Sequence, residues 1–217
     1  MFIGHNAIGF AAKKAAPRAS LGALMGAAML LDLIWPVMLL TGLEHVRIHH
    51  GDTRFSPLTF TDYPWTHSLA MAAAWSVGAA ILYWIVSRYG RGAIVVALCV
   101  FSHWALDWIT HRPDLPLYPG GPKLGLGLWN NPIATIGVES FLFAVGVLLY
   151  RDTTAPRDRI GSIGMWAFIV VLAAMYIATA SGAPPPNERL LAWIALTAWV
   201  MPVWAWWFDR HREIEAT

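Results

Sequence analysis

The stretch Val100-Phe101-Ser102-His103-Trp104-Ala105-Leu106-Asp107-Trp108-Ile109-Thr110-His111 decides how this chain is read. It closes a run, Gly92 to Thr110, that is apolar enough to cross a bilayer. Within that run His103 and Asp107 are four residues apart, so both project from one face of one helix. An ionisable group at that depth costs about 2.5–3.5 kcal/mol even on mild insertion scales, so such residues face a bundle interior and mark a site. An imidazole nitrogen and a carboxylate oxygen aimed at one point suit zinc or a similar divalent metal. A histidine simply hydrogen-bonded to its own i+4 carboxylate is the structural alternative.

Composition sets the class. Of the 217 residues, 57% are hydrophobic and 13% charged, and the mean hydropathy is +0.51, which leaves too few charges to cover a soluble domain. The expectation is an all-α, polytopic transmembrane bundle forming a single membrane domain over residues 1–217. The net charge is +2, but the basic residues fall in short clusters between apolar segments, and no stripe fit for nucleic acid results. Cys99 is the one cysteine, so an internal disulfide and Cys-rich metal sites are excluded and a metal would rely on His, Asp and Glu.

Six segments are long enough to span: Ser20–Gly42, Ser68–Ser87, Gly92–Thr110, Pro132–Tyr150, Gly161–Ser181 and Leu190–Phe208. The first four carry polar residues (20–150) and the last two (161–208) read as scaffold. The first segment, preceded by Lys13, Lys14 and Arg18 and containing Asp32 and Pro36, reads as retained and not as a cleaved signal peptide. Pro36 cannot donate to the carbonyl of Asp32, so a kink is expected there. Lys13, Lys14, Arg18, Arg88, Arg91, Arg151, Arg157, Arg159, Arg210 and Arg212 fall on one side of such a map, and Arg47, Arg54, Arg112, Lys123 and Arg189 on the other. This ten-to-five bias predicts a cytoplasmic C-terminus and two long outer connections, Leu43–Thr66 and His111–Asn131.

On this map Asp32, His67, His103, Asp107 and Glu139 all lie in the outer half, delivered by four segments far apart in sequence. Residues 2–16 form a further apolar stretch that meets the next helix at Pro17-Arg18. Folded back as a short membrane-embedded helix, it places His5 about 20 Å from that turn, as Asp32 is on the other side, so the two become neighbours. A frayed, solvated N-terminus is the alternative for His5. The outer connections are rich in aromatics and turn residues, which predicts ordered lids. Arg47, Arg54, His111, Arg112 and Lys123 are candidate contacts for a headgroup or phosphate, and solvated loop charges otherwise.

At Gly4-His5, Leu30-Leu31-Asp32-Leu33-Ile34-Trp35-Pro36, Tyr63-Pro64-Trp65-Thr66-His67-Ser68-Leu69, and Phe101-Ser102-His103-Trp104-Ala105-Leu106-Asp107-Trp108-Ile109-Thr110 followed by Pro116-Leu117-Tyr118-Pro119, the chain resembles the membrane-bound metal-dependent hydrolases of the YdjM-like inner-membrane group. The resemblance covers residues 4 to about 140 and implies a multi-pass protein of a bacterial inner membrane. Its metal-site residues fall by position on His5, Asp32, His67, His103 and Asp107. Relatives often carry a Pro-Asp-x-Asp second motif, where this chain has Leu31-Asp32-Leu33-Ile34. A single metal is therefore implied, with Glu139 supplying the missing acid.

The chemistry expected is a divalent metal, zinc first and manganese as the alternative, that acidifies a water and polarises the scissile group. Asp32 has a second possible role beside Glu139 as the acid that handles protons. Ser68 and Ser102 read as helix-packing residues. A site under outer loops points to a membrane lipid or lipid-linked ester or phosphoester. A ceramidase-like amide hydrolase and a permease with a His/Asp ion site are the rivals; internal repeats, the mark of many permeases, are not visible.

Overall fold

The computed structural model describes residues 1–49 and 52–215; His50, in the first outer connection, lies outside the described residues. The chain opens with α1 (Ile3–Ala15), α2 (Leu21–Ala28) and α3 (Leu30–Thr41). A hairpin of β1 (His45–Ile48) and β2 (Leu58–Asp62) leads to the single turn α4 (Pro64–His67), then α5 (Leu69–Ser87) and α6 (Gly90–Thr110). Beyond the short pair β3 (Leu115–Pro116) and β4 (Lys123–Leu124) come α7 (Pro132–Thr153), β5 (Thr154–Pro156), α8 (Arg159–Ser181), α9 (Glu188–Leu196), α10 (Val200–Asp209) and β6 (Arg212–Ile214), which pairs with β5.

Five helical segments are long and apolar enough to cross a membrane, the α9–α10 stretch Glu188–Asp209 counting as one. The pair α2 and α3, bent by 55°, makes a sixth if taken as one broken span. The protein is thus a polytopic all-α membrane protein. Local chemistry sets the starts. Ser20, Ser68, Asn131, Asp158 and Asn187 each accept a backbone N–H at the first turn of the helix that follows. Pro64 and Pro132 occupy first-turn positions where a missing N–H costs nothing.

Pro36 lies inside α3, and the sharp break falls seven residues earlier, at Met29 between α2 and α3. This places Asp32 in the first turn of α3, where the positive end of the helix dipole favours a carboxylate.

At 13 residues, α1 is about 20 Å long, short of the ~30 Å hydrocarbon core. It lies inside the bundle against α7, α2 and α6, with His5, Asn6, Phe10 and Lys13 all buried. Gly146 on α7 allows the close approach, since a Cβ there would meet the backbone of Ala7. Two apolar cores flank this pair. One gathers residues of α2, α3, α6 and the hairpins around Leu24, Leu31, Trp35 and Trp104. The other joins α1, α7, α8 and α10 around Phe10, Tyr150, Phe168 and Phe208.

The two long connections, 43–66 and 111–131, are sewn together. Phe55 N–H donates to the Trp129 carbonyl (3.0 Å), Lys123 Nζ to the Thr61 carbonyl (3.0 Å), and Arg112 pairs with Asp52 at 3.1 Å.

Candidate metal centre

Each candidate ligand arrives on a different element for a local reason. His103 and Asp107 stand one turn apart on α6, and the first turn of α3 delivers Asp32. His67 ends α4, and His5 sits one turn into α1. The structure brings all five together. His103 Nε2 lies 3.2 Å from Asp107 Oδ2 and 3.6 Å from Asp32 Oδ1. His67 Nε2 lies 3.4 Å from Asp32 Oδ1 and 3.8 Å from Asp107 Oδ2. His5 Nε2 is 3.0 Å from Asp107 Oδ1, and its ring stacks on that of His103 with centroids 3.6 Å apart. The Met1 amino group also reaches Asp107 Oδ1, at 2.5 Å. His5, His67, His103 and Asp107 are almost fully buried, while the Asp32 side chain keeps 32% of its exposure.

Hydrogen-bond bookkeeping fixes the tautomers of two histidines. His103 Nδ1 faces the carbonyl of Ala28, the last residue of α2, at 2.8 Å. A carbonyl only accepts, so His103 carries its proton on Nδ1. His67 Nδ1 lies 2.7 Å from Thr66 Oγ1, and that hydroxyl gives its single proton to Glu44 Oε2 at 2.7 Å. Thr66 must therefore accept from His67, which also carries its proton on Nδ1. Glu44 is itself buried, and its Oε1 is held by the N–H groups of Trp65 and Thr66, at 2.7 and 2.8 Å.

With Nδ1 the donor on each ring, Nε2 is the nitrogen that faces the carboxylate oxygens: as a bare lone pair it is repelled unless a cation lies between, and as a second N–H the ring is itself that cation. His103 Nε2 forms no hydrogen bond. The spacing fits a metal. Tetrahedral ligands bonded at 2.0–2.1 Å stand about 3.3–3.4 Å apart, and the four Nε2–carboxylate separations of 3.2, 3.4, 3.6 and 3.8 Å straddle that value. Two overlapping sets, His5/His103/Asp107 and Asp32/His67/His103, could each hold an ion, and they share His103.

A cavity of about 440 Å³ opens beside this cluster. Asp32, His67, Asp107, Glu139 and His111 line its polar side, while Phe55, Phe60 and Trp129 from the two long connections and residues of α8 and α9 complete it. Glu139 is fully buried on α7. Its Oε2 accepts the Phe2 and Gly4 N–H groups, at 2.8 and 3.3 Å, and so caps α1, while Oε1 has no partner. His111 is packed among Phe60, Tyr63 and Trp129, with Nδ1 3.0 Å from Asp114 Oδ1. Burial pushes its imidazole below the usual value. The Tyr63 hydroxyl also donates to Asp114, at 2.9 Å, and burial first, then Asp114, hold that phenol protonated well above its ordinary range.

The other candidate substrate contacts lie elsewhere. Arg47 and Arg54 are exposed and outside the cavity lining. Arg112 is engaged by Asp52 and Asp114, and Lys123 by the Thr61 carbonyl, so both stitch the two long connections to each other. Sequence reasoning missed three features: the Glu44–Thr66 support of His67, the Tyr63–Asp114 support of His111, and the cavity wall supplied by α8 and α9. Only the adjacency of Thr66 and His67 hinted at the first.

The family model of the YdjM inner membrane proteins matches residues 1–184. The chain belongs to this family. The matched region contains all five clustered residues, Glu44 and Glu139, and stops before α9. No curated protein and no solved structure matches the chain. As a YdjM family member with several membrane-spanning helices, the protein is a multi-pass membrane protein whose buried His/Asp cluster could bind a metal.

Proposed function

We propose that this YdjM family protein is a membrane-embedded, metal-dependent hydrolase acting on a lipid or lipid-linked substrate. The observation that carries the reading is the convergence of two histidine Nε2 atoms, on His67 and His103, with the Asp32 and Asp107 carboxylates at the edge of a cavity. His67, His103, Asp32 and Asp107 hold the ion, zinc in our reading, and His5 orients Asp107 from its other oxygen. When bound, the ion supplies Lewis-acid polarisation of the scissile group and acidifies a water.

The chain's own groups do the rest. Glu44, through Thr66, and the Ala28 carbonyl keep His67 and His103 in the tautomer that leaves Nε2 free. Glu139 Oε1, free of partners while Oε2 is fixed by α1, takes the proton from the attacking water and returns it to the leaving oxygen or nitrogen. The Lys/Arg asymmetry orients the site toward the outer face with the C-terminus in the cytoplasm.

The test is turnover of a total bacterial lipid extract by zinc-loaded protein, read by mass spectrometry of the products. Chelator-sensitive release that disappears in Asp107→Asn is expected. Absence of any product across ester, phosphoester and amide classes, from protein shown to hold zinc, would overturn the hydrolase.

A further inference from the structure

The cavity records more about its occupant than the cluster alone does. Four residues that line it carry a buried polar atom with no protein partner: Trp35 Nε1, Trp129 Nε1, Tyr176 OH and Glu139 Oε1. A buried unpaired donor or acceptor costs about 1–3 kcal/mol, and native structures keep few of them without a reason. Four around one cavity are polar groups that this packing leaves unsatisfied and closed to solvent, and a ligand pairs with them as the side chains turn toward it. Three of the four can donate, and all three of those are uncharged.

Charge narrows the ligand further. Three carboxylates line the cavity, those of Asp32, Asp107 and Glu139, and among the described residues no arginine or lysine side chain does. Phosphate sites are built from Arg, Lys or clustered cations. Here the three carboxylates are matched by one divalent ion and the Met1 amino group, which pairs with Asp107. An anionic headgroup would therefore find no positive charge left over, whereas a neutral carbonyl or hydroxyl would meet indole and phenol donors.

The rest of the lining is apolar and comes from two spans. Met175 on α8 and Leu191, Ile194 and Ala195 on α9 face the cavity. Ala178 on α8 and Ile194 on α9 are exposed and part of the lining, so the wall belongs to two helices apolar enough to cross a membrane.

Resting on the hydrolase reading for the bond to be cut, we propose that the cavity binds a neutral acyl lipid, an ester or amide of a fatty acid. Its oxygens are hydrogen-bonded by Trp35, Trp129 and Tyr176, and its chain runs along α8 and α9. The class is distinct from a phosphoester. The wall on α9 lies beyond the family-matched residues, so chain selection belongs to the part of this protein that the family match does not cover.

The experiment is equilibrium binding by native mass spectrometry of the full-length protein, with metal content measured on the same sample. Two probes of equal chain length are compared, a monoacylglycerol and the corresponding monoacylglycerol phosphate. The neutral lipid should bind about tenfold tighter than the phosphate, the effect of one buried group left unsatisfied. Tyr176→Phe and Trp129→Phe should each weaken the neutral lipid several-fold at unchanged metal content and Tm. Ala195→Trp should weaken long-chain monoacylglycerols while sparing short-chain ones. Equal or tighter binding of the phosphate overturns the neutral class, and the same loss for all chain lengths in Ala195→Trp overturns the path along α9. Failure of both lipids to bind overturns the site. Binding of the neutral lipid by protein that holds no metal leaves the pocket standing and removes the hydrolase reading alone.

Discussion

The two ends of α1 carry buried polar clusters built on opposite terms. At the Lys13 end, Lys13 Nζ meets Asp209 Oδ2 at 2.8 Å and the Ala19 carbonyl at 2.9 Å, while the Leu21 N–H and the Tyr150 hydroxyl complete Asp209, each at 2.8 Å. One cation faces one anion, and these atoms are all partnered. At the His5 end, three carboxylates and three histidines converge with the Met1 amino group and, among the described residues, no arginine or lysine side chain, and His5 Nδ1, His103 Nε2 and Glu139 Oε1 lack partners. A cluster that only holds helices together is complete by itself, as the first is. The second has more carboxylates than the Met1 amino group can match and, in our reading, is completed by a further cation, and this contrast separates fastening from function on one short helix.

The sharpest way to break the contrast is to damage the fastening end. Lys13→Met leaves Asp209 buried and unpaired, which should cost about 3–5 kcal/mol and lower Tm steeply in a detergent melt, while the folded fraction keeps its metal. Adding Asp209→Asn to Lys13→Met should recover much of the loss, because no charge is then stranded. If instead Lys13→Met strips the metal from folded protein, the two ends are one functional unit and the contrast fails.

Damage at the His5 end should act in reverse. Asp32→Asn removes one of several like charges, so the metal-free protein should melt at the wild-type temperature or above. Its zinc affinity, measured by chelator competition, should fall by more than the roughly 10–100-fold typical of losing an outer partner. Glu44→Gln tests that outer partner itself. An amide nitrogen facing Thr66 turns the hydroxyl toward His67 and moves the imidazole proton to Nε2, so the affinity should fall about 10–100-fold with little change in fold by circular dichroism.

The smallest effect expected lies at the start of α8. Asp158 caps Gly161 N–H at 3.0 Å and lies 2.6 Å from His211 Nδ1. The Gly161 bond first, then His211, holds the Asp158 carboxyl below its usual range. Its contribution is thus present above the ordinary carboxylate pKa and is lost as pH falls through the lowered folded value. Asp158→Asn should remove that acid-side slope from the Tm–pH curve and leave the neutral side slightly lower.

Much of this was legible in the sequence because polar residues are costly in apolar runs. His5, Asp32, His67, His103, Asp107 and Glu139 stood out for that reason, and the six apolar runs correspond to the five spans and the bent pair. What was not legible depends on contacts across the chain. The break sits at Met29 and not at Pro36, in a stretch without a local breaker, and there the Ala28 carbonyl meets His103. Glu44 read as a loop charge until folding carried it to the start of α4. The last two spans carry none of the clustered residues, so their part in the cavity wall was invisible to a search for polar groups. Arg47 and Arg54 stood out by charge, which shows nothing about direction.

The central claim is that the His5 end is completed by a divalent ion. Metal content by plasma mass spectrometry on detergent-purified wild type, His103→Ala and Lys13→Met tests it most directly. Near-stoichiometric zinc or manganese in wild type and in folded Lys13→Met, with loss in His103→Ala at an unchanged monodisperse profile, is the predicted result. Wild-type protein that stays metal-free after reloading, with His103→Ala as stable as wild type, would contradict it.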